Sequence, residues 1–133
     1  MEKEFVPYKL ALELKELGFD MKCFGRYFFR ADIHKVGEEE LELCGQGVSK
    51  FELPEHTILA PLYQQVFDWF RRVYDYEYRI VKAGETYFYE IDNTKPFFER
   101  LEGELLDMQS GWIYKTYEEA RLECLKKLIE IVK

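Results

Sequence analysis

A chain of 133 residues and 16.1 kDa has room for one ordinary domain, and folding at this size buries roughly 65–70% of the unfolded surface, so no staple is needed. With 47% hydrophobic and 34% charged residues, only 8 Gly and 4 Pro, the composition is globular, without a low-complexity tract or fixed-period repeat. A net charge of −7 argues against phosphate-backbone binding, which relies on clustered Lys and Arg, and no apolar run approaches the roughly 18 residues of a membrane span.

The first helix is expected from about Pro7, a residue that lacks the N–H left unpaired at a helix start. Leu10, Ala11, Leu14 and Leu17 form its apolar stripe, and Gly18 followed by Phe19 reads as a left-handed terminator with an apolar residue folding back. Strand character follows over Cys23–Arg30 and Glu40–Cys44, joined by a loose hairpin connection across 31–39. Residues 45–57, with Gly45, Gly47 and Pro54, read as an irregular loop with one short extended piece.

A central helix is expected from Pro61 to Tyr74 or Asp75. Leu59, Leu62, Val66, Phe70 and Val73 recur at helical steps on one face, with Gln64, Gln65, Asp68, Arg71 and Arg72 opposite. Beyond it, Tyr76, Tyr78 and Ile80 alternate with charged residues, as do Tyr87, Tyr89 and Ile91 with Phe88 and Glu90. A two-residue turn at Ala83-Gly84 would set Ile80 against Tyr87, Tyr78 against Tyr89 and Tyr76 against Ile91. A three-residue turn with a bulge at Gly84 suits the backbone better, because Ala83 tolerates positive φ poorly; the apolar pattern favours the former. Phe67 or Phe70 is expected to touch Tyr78 or Tyr89.

Residues 93–111 stay open: Phe97, Phe98, Leu101, Leu105 and Leu106 fit a short helix entered at Lys95-Pro96, which Gly103 weakens. A short strand at Gly111–Tyr114 follows. Thr116 with Glu119 three residues on forms a capping-box signature. Ala120, Cys124, Leu125, Leu128, Ile129 and Val132 make the buried face of the last helix. The order helix, two strands, helix, two or three strands, helix predicts an α+β fold in one domain over 1–133, an antiparallel sheet of hairpins with about three helices packed on it.

The stretches Leu14-Lys15-Glu16-Leu17-Gly18-Phe19-Asp20, Ala60-Pro61-Leu62-Tyr63-Gln64-Gln65 leading to Trp69-Phe70-Arg71, and Tyr117-Glu118-Glu119-Ala120-Arg121 leading to Leu128-Ile129 carry a resemblance in order along most of the chain. The chain resembles a widespread family of short uncharacterised proteins encoded by gut bacteria and their phages or mobile elements. The resemblance implies a mobile-element accessory protein, cytoplasmic in a bacterial host, and brings no activity, ligand or catalytic residue with it.

Candidate chemistry is sparse. Cys23, His34, Cys44 and His56 are spaced at ten, ten and twelve positions, without the close pairs of structural zinc sites. Packed thiols and surface imidazoles explain them better, and no metal or cofactor is called for. Cys44, beside Gly45 and Gly47, is the one thiol in a plausible exposed loop, yet no nucleophile signature surrounds it. The acids Glu38, Glu39, Glu40 and Glu42 read as a solvated loop and strand edge. Trp69, Arg71, Arg72, Tyr74 and Tyr76 resemble a base-stacking patch, but Asp68, Asp75 and Glu77 offset the arginines, which argues against nucleic acid. Met1-Glu2-Lys3-Glu4 has neither a basic nor an apolar leader pattern, so a cytoplasmic protein is expected.

Aromatics at 17% serve a small core or a binding surface, and periodicity assigns most to the core. The leading expectation is a non-enzymatic module that binds a protein partner. The alternative is a small-ligand binder with a pocket between the central helix and the second hairpin, its candidate residues being Tyr63, Phe67, Tyr76, Tyr78, Tyr87 and Tyr89. A third reading, a DNA mimic, requires carboxylates aligned along one face.

Overall fold

The computed structural model describes residues 2–28, 39–54, 56–93, 107–109 and 113–133. Among them are three α-helices, α1 (Tyr8–Glu16), α2 (Tyr63–Tyr74) and α3 (Tyr117–Val132). The strands are β1 (Cys23–Phe28), β2 (Glu40–Val48), β3 (Ile58–Leu59), β4 (Tyr76–Ala83), β5 (Thr86–Asn93) and β6 (Asp107–Gln109). The α+β class and the expected element order hold. The strands form two antiparallel three-stranded sheets, ordered β2-β1-β3 and β4-β5-β6, and the chain divides into compact units at 1–66 and 67–133.

In the first unit, Pro7 is the N-cap of α1 rather than its first helical residue. The helix ends as its sequence dictates. Gly18 turns to φ +93°, its N–H donates to the Lys15 carbonyl at 3.1 Å, and the Phe19 N–H donates to the Leu14 carbonyl at 3.0 Å. Those two bonds define a Schellman termination, and buried Phe19 and Leu14 supply its apolar contact. The helix lies against β3 through a face that includes Leu10, Ala11 and Leu14, while Leu17 is only half-buried.

β2 extends further than its alternation suggests, through Gly45 and Gly47 to Val48. Gly25 pairs with Leu43 but Cys23 with Val48, so residues 44–47 bulge opposite Phe24 alone. Gly47 takes φ +81° there, a conformation open to glycine without steric cost. Within 45–57 the structure therefore places a bulged strand end through Val48 and a 3-10 turn at Lys50–Glu52, more regular than an irregular loop with one short extended piece, and the two-residue β3 follows at Ile58–Leu59. The remainder of the first expected strand, Phe29-Arg30, and the connection as far as Glu38 lie outside the described residues.

α2 starts at Tyr63 with a cap that its sequence conceals: the Leu62 N–H donates to Gln65 Oε1 at 3.1 Å, half of a capping box without the usual hydroxyl. Its buried side chains are Tyr63, Val66, Phe67, Trp69 and Phe70. Val73, expected on the core face, is 54% exposed. It has the right direction on the helix but sits in the last turn. Periodicity fixes direction, and does not say how far along a helix its neighbours reach.

The second unit corrects the hairpin register. Tyr78 pairs with Ile91, Ile80 with Tyr89, Lys82 with Tyr87 and Ala83 with Thr86, leaving Gly84-Glu85 as the turn. The expected pairs Tyr78–Tyr89, Ile80–Tyr87 and Tyr76–Ile91 are thus slipped by two residues, and the bulged three-residue turn does not form. Gly84 has φ +64° at the first central position, as a type II′ turn requires, so turn chemistry prevails over the apolar pairing. A slip of two preserves the faces, because side chains alternate with period two. Arg79 is directly opposite Glu90 and forms an ion pair with it.

α3 covers this hairpin, touching β4 and β5. Thr116 caps it as expected, its Oγ1 accepting the Glu119 N–H at 3.1 Å. Ala120, Cys124, Leu125, Leu128 and Ile129 are buried, while Val132 is half-buried. Arg121, a charged residue, is only 6% exposed, with its guanidinium 5.5 Å from the Tyr117 ring centroid. The candidate helix at 95–106 lies outside the described residues, and of the strand expected at Gly111–Tyr114 only Ile113 and Tyr114 lie within them. Tyr114 bridges Tyr87 through bonds of 2.8 and 2.7 Å.

Candidate functional site

Four of the six rings nominated by sequence, Phe67, Tyr78, Tyr87 and Tyr89, are engaged with other rings of the second unit. Phe67 stacks on Tyr78 with centroids 3.7 Å apart and planes 14° from parallel, as the reach from α2 to the hairpin predicts. Tyr89 stacks on Tyr114 at 6.4 Å, and Tyr87 meets Tyr117 edge-on at 6.3 Å. Phe67 and Tyr89 are buried, Tyr76, Tyr78 and Tyr87 half-buried. A separation of 3.7 Å leaves no ligand space between Phe67 and Tyr78. Burial, reinforced by Tyr117 and Cys124, pushes the Tyr78 hydroxyl above its ordinary pKa, with Arg121 opposing; burial beside Tyr114 and Cys124 pushes Tyr89 up to about 12. Both phenols are held neutral. Tyr63, the sixth candidate, belongs to the first unit and is 5% exposed.

The polar candidates are likewise engaged. Arg71 and Arg72 both form ion pairs with Asp68, Arg71 also meets Glu77 at 3.8 Å, and Trp69 is 4% exposed, so this set presents no base-stacking platform. Glu42 binds Arg26 through Nε at 3.0 Å and a terminal nitrogen at 2.8 Å, and Glu123 and Glu130 pair with Lys126 and Lys127. Carboxylates interleaved with cations do not imitate a row of phosphates. Burial pushes the Cys23 thiol up to about 12 and raises Cys124 further, which suits packed thiols. Cys44 is half-buried with Sγ 3.9 Å from the Glu42 carbonyl. His34 lies outside the described residues, among which no group of three potential ligands could hold a metal.

A cleft in the first unit is the site that sequence reasoning missed. It has a volume of about 500 Å³ and is walled by Ala11 of α1, Phe19 just beyond that helix, Ile58 and Leu59 of β3, and Phe51 and Leu53 of the segment between β2 and β3. Local bonds shape that segment. The Glu52 N–H donates to the Ser49 carbonyl at 3.0 Å, and Thr57 Oγ1 donates to the Pro54 carbonyl at 2.6 Å. Within the first of these turns Phe51 stands 87% exposed. His56 turns to φ 65°, a conformation uncommon outside glycine, so the backbone beside the cleft is held in a costly state. Lys15, Lys50 and His56 bring polar groups to the cleft, and all three are exposed. The signal available in sequence was Phe51 itself, a large ring between Lys50 and Glu52 in a stretch without strand alternation.

Comparison of the chain with protein-family models, with curated proteins and with solved structures finds no match in any of the three.

Proposed function

We propose that this protein is a small non-enzymatic protein-interaction module of mobile-element or phage origin, cytoplasmic in a bacterial host, and that the cleft of the 1–66 unit holds its partner. The observation that supports this reading is Phe51, 87% exposed at an apolar cleft of about 500 Å³. An aromatic ring buries roughly 150–250 Å² when covered, and rings standing beside desolvated pockets make the strongest anchors at protein interfaces. A molecule small enough to lie wholly within the cleft would leave much of that ring in water; a partner surface covers the ring and fills the cleft together. The alternative of a small-ligand binder has the cleft's volume in its favour, since ligand pockets span about 300–1,000 Å³. It moves that pocket from the tyrosine hairpin to the first unit.

The test is capture from bacterial lysate by the tagged chain and by Phe51→Ser, read by mass spectrometry. The expected result is a protein enriched by the parent chain and lost with Phe51→Ser, both chains melting at the same temperature. Identical captures would sink the docking reading. Turnover of a nucleotide, peptide or ester panel, abolished by changing one polar side chain, would overturn the non-enzymatic one.

A further inference from the structure

We infer that the outer edge of β4 pairs with the same edge of a second copy of this chain, in an antiparallel two-fold contact centred on Tyr78. The inference goes beyond the docking reading and does not use the cleft. The hairpin turn decides which backbone groups are left over. Ala83 and Thr86 flank Gly84-Glu85 and close the turn, so they exchange backbone hydrogen bonds, and bonded pairs alternate along an antiparallel ladder. Val81, Arg79 and Glu77 therefore direct their N–H and C=O groups at β5, and those of Ile80, Tyr78 and Tyr76 point to the opposite edge. Among the described residues no strand pairs with that edge, since the sheet runs β4-β5-β6. β4 also lacks the devices that blunt an edge: it has no Pro and keeps register with β5 over all 8 residues. β2, on the outside of the other sheet, is broken by its bulge and carries Glu40 and Glu42.

Symmetry and charge then select one register. A two-fold axis through a sheet keeps both faces continuous only if it passes through a residue, which then lies opposite its own copy. Centred on Glu77 or Arg79, the pairing sets like charges against each other. Centred on Ile80 it sets Arg79 against Val81 and Lys82 against Tyr78. Centred on Tyr78 it places Glu77 of each copy opposite Arg79 of the other, with Tyr76 opposite Ile80, and opposite charges facing across strands are favourable. Glu77 and Arg79 are both exposed. Arg79 already pairs with Glu90, and its guanidinium has donors to spare beyond one carboxylate, so the ion pair extends from β5 across β4 to the second copy. The overlap is short, so association is weak, and an isologous contact closes at the dimer instead of growing into fibres.

The experiment is sedimentation velocity on the full chain and its charge variants, from micromolar to near-millimolar concentration. The parent should show a monomer–dimer equilibrium that weakens as salt rises. Glu77→Arg opposes like charges at both contacts and should weaken the dimer roughly tenfold, while Asp92 faces the new side chain within its own hairpin. Arg79→Glu should weaken it similarly. An equimolar mixture of the two variants, one of them labelled, should recover the parent's affinity, because each supplies the charge that the other lacks. Lys82→Glu lies beyond the paired stretch and should leave the dimer unchanged. Each variant should melt close to the parent; if Arg79→Glu melts early, Arg79→Gln replaces it, and the mixture should then recover part of the affinity. A parent that stays monomeric throughout, single variants that dimerise as the parent does, or a mixture that recovers nothing would each overturn the inference. So would a dimer weakened as much by Lys82→Glu as by Glu77→Arg, which would move the contact out of this register.

Discussion

Gly25 offers the strictest test of how the first unit is packed. It lies in β1 opposite Leu43, and its carbonyl accepts the Ala60 N–H at 2.9 Å. A Cβ added there would stand 2.8 Å from Phe5 Cε1, 3.3 Å from Phe5 Cζ and 3.2 Å from Leu41 Cδ1. Carbon pairs rest at about 3.5–4.0 Å, so the ring would have to retreat by roughly 0.7 Å or more. Phe5 is 3% exposed, and its backbone is tied down by the Phe5–Leu62 bridge and by the Val6 N–H bond to the Pro61 carbonyl at 2.8 Å. The overlap must therefore resolve as strain. Over-packing costs about 1–3 kcal/mol, offset by the roughly 0.5–1 kcal/mol that alanine gains over glycine in a strand, leaving Gly25→Ala destabilised by up to about 2.5 kcal/mol.

Gly45 in β2 is the control, since a Cβ there meets nothing within 4 Å. Gly45→Ala should be neutral or stabilising by up to about 1 kcal/mol. Adding Phe5→Leu to Gly25→Ala should cost less than Phe5→Leu costs alone, because the smaller side chain makes room for the methyl group. Urea unfolding followed by circular dichroism gives all four stabilities. If Gly25→Ala were as stable as Gly45→Ala, or if the double variant were simply additive, the Phe5–Gly25 contact would not be the constraint inferred here.

In the second hairpin, Gly84→Ala meets open space but keeps φ at +64°, so it should cost about 1–2 kcal/mol from backbone strain alone, while Ala83→Gly should be the milder change. The reverse ranking in urea melts would restore the Ala83-Gly84 turn. On α3, Leu128→Ala should cost about 2–5 kcal/mol, the side chain being 1% exposed, and Thr116→Ala about 1 kcal/mol through the lost cap. Equally mild effects would make α3 peripheral. Titration with a thiol reagent at pH 8 should modify Cys44 quickly and leave Cys23 and Cys124 untouched until unfolding, and three equally fast thiols would contradict their burial. Those two thiols, with Tyr78 and Tyr89, have folded pKa values raised above their unfolded ones, so the native state holds more protons at alkaline pH. Their contribution is complete below the unfolded pKa values, about 8.5 for Cys and 10 for Tyr, and is lost as pH rises toward the folded ones. The urea midpoint should fall from pH 9 to 11, and a flat profile would refute the burial of these groups.

What the sequence settled by itself is local. The termination of α1 at Gly18-Phe19 and the Thr116 cap of α3 depend on residues within one turn of each other, so their chemistry is complete in the chain order. The core stripes of α1 and α3 follow from helical period, and the two faces of the second hairpin from period two.

What needed the tertiary structure is whatever depends on a neighbour distant in sequence. Val73 has the direction of a core residue and lacks a cover. Arg121 has the composition of a surface residue and is buried beneath Tyr117. The hairpin slipped by two because Gly84, not the pairing of tyrosines, sets the turn, and both registers bury the same side chains. The cleft could not be read from the chain order, because its walls come from residues 11–19 and 50–61, and neither stretch shows a vacancy until α1 lies against β3. Periodicity tells a side chain which way to point. Only packing decides which surfaces it meets and which are left open to a partner.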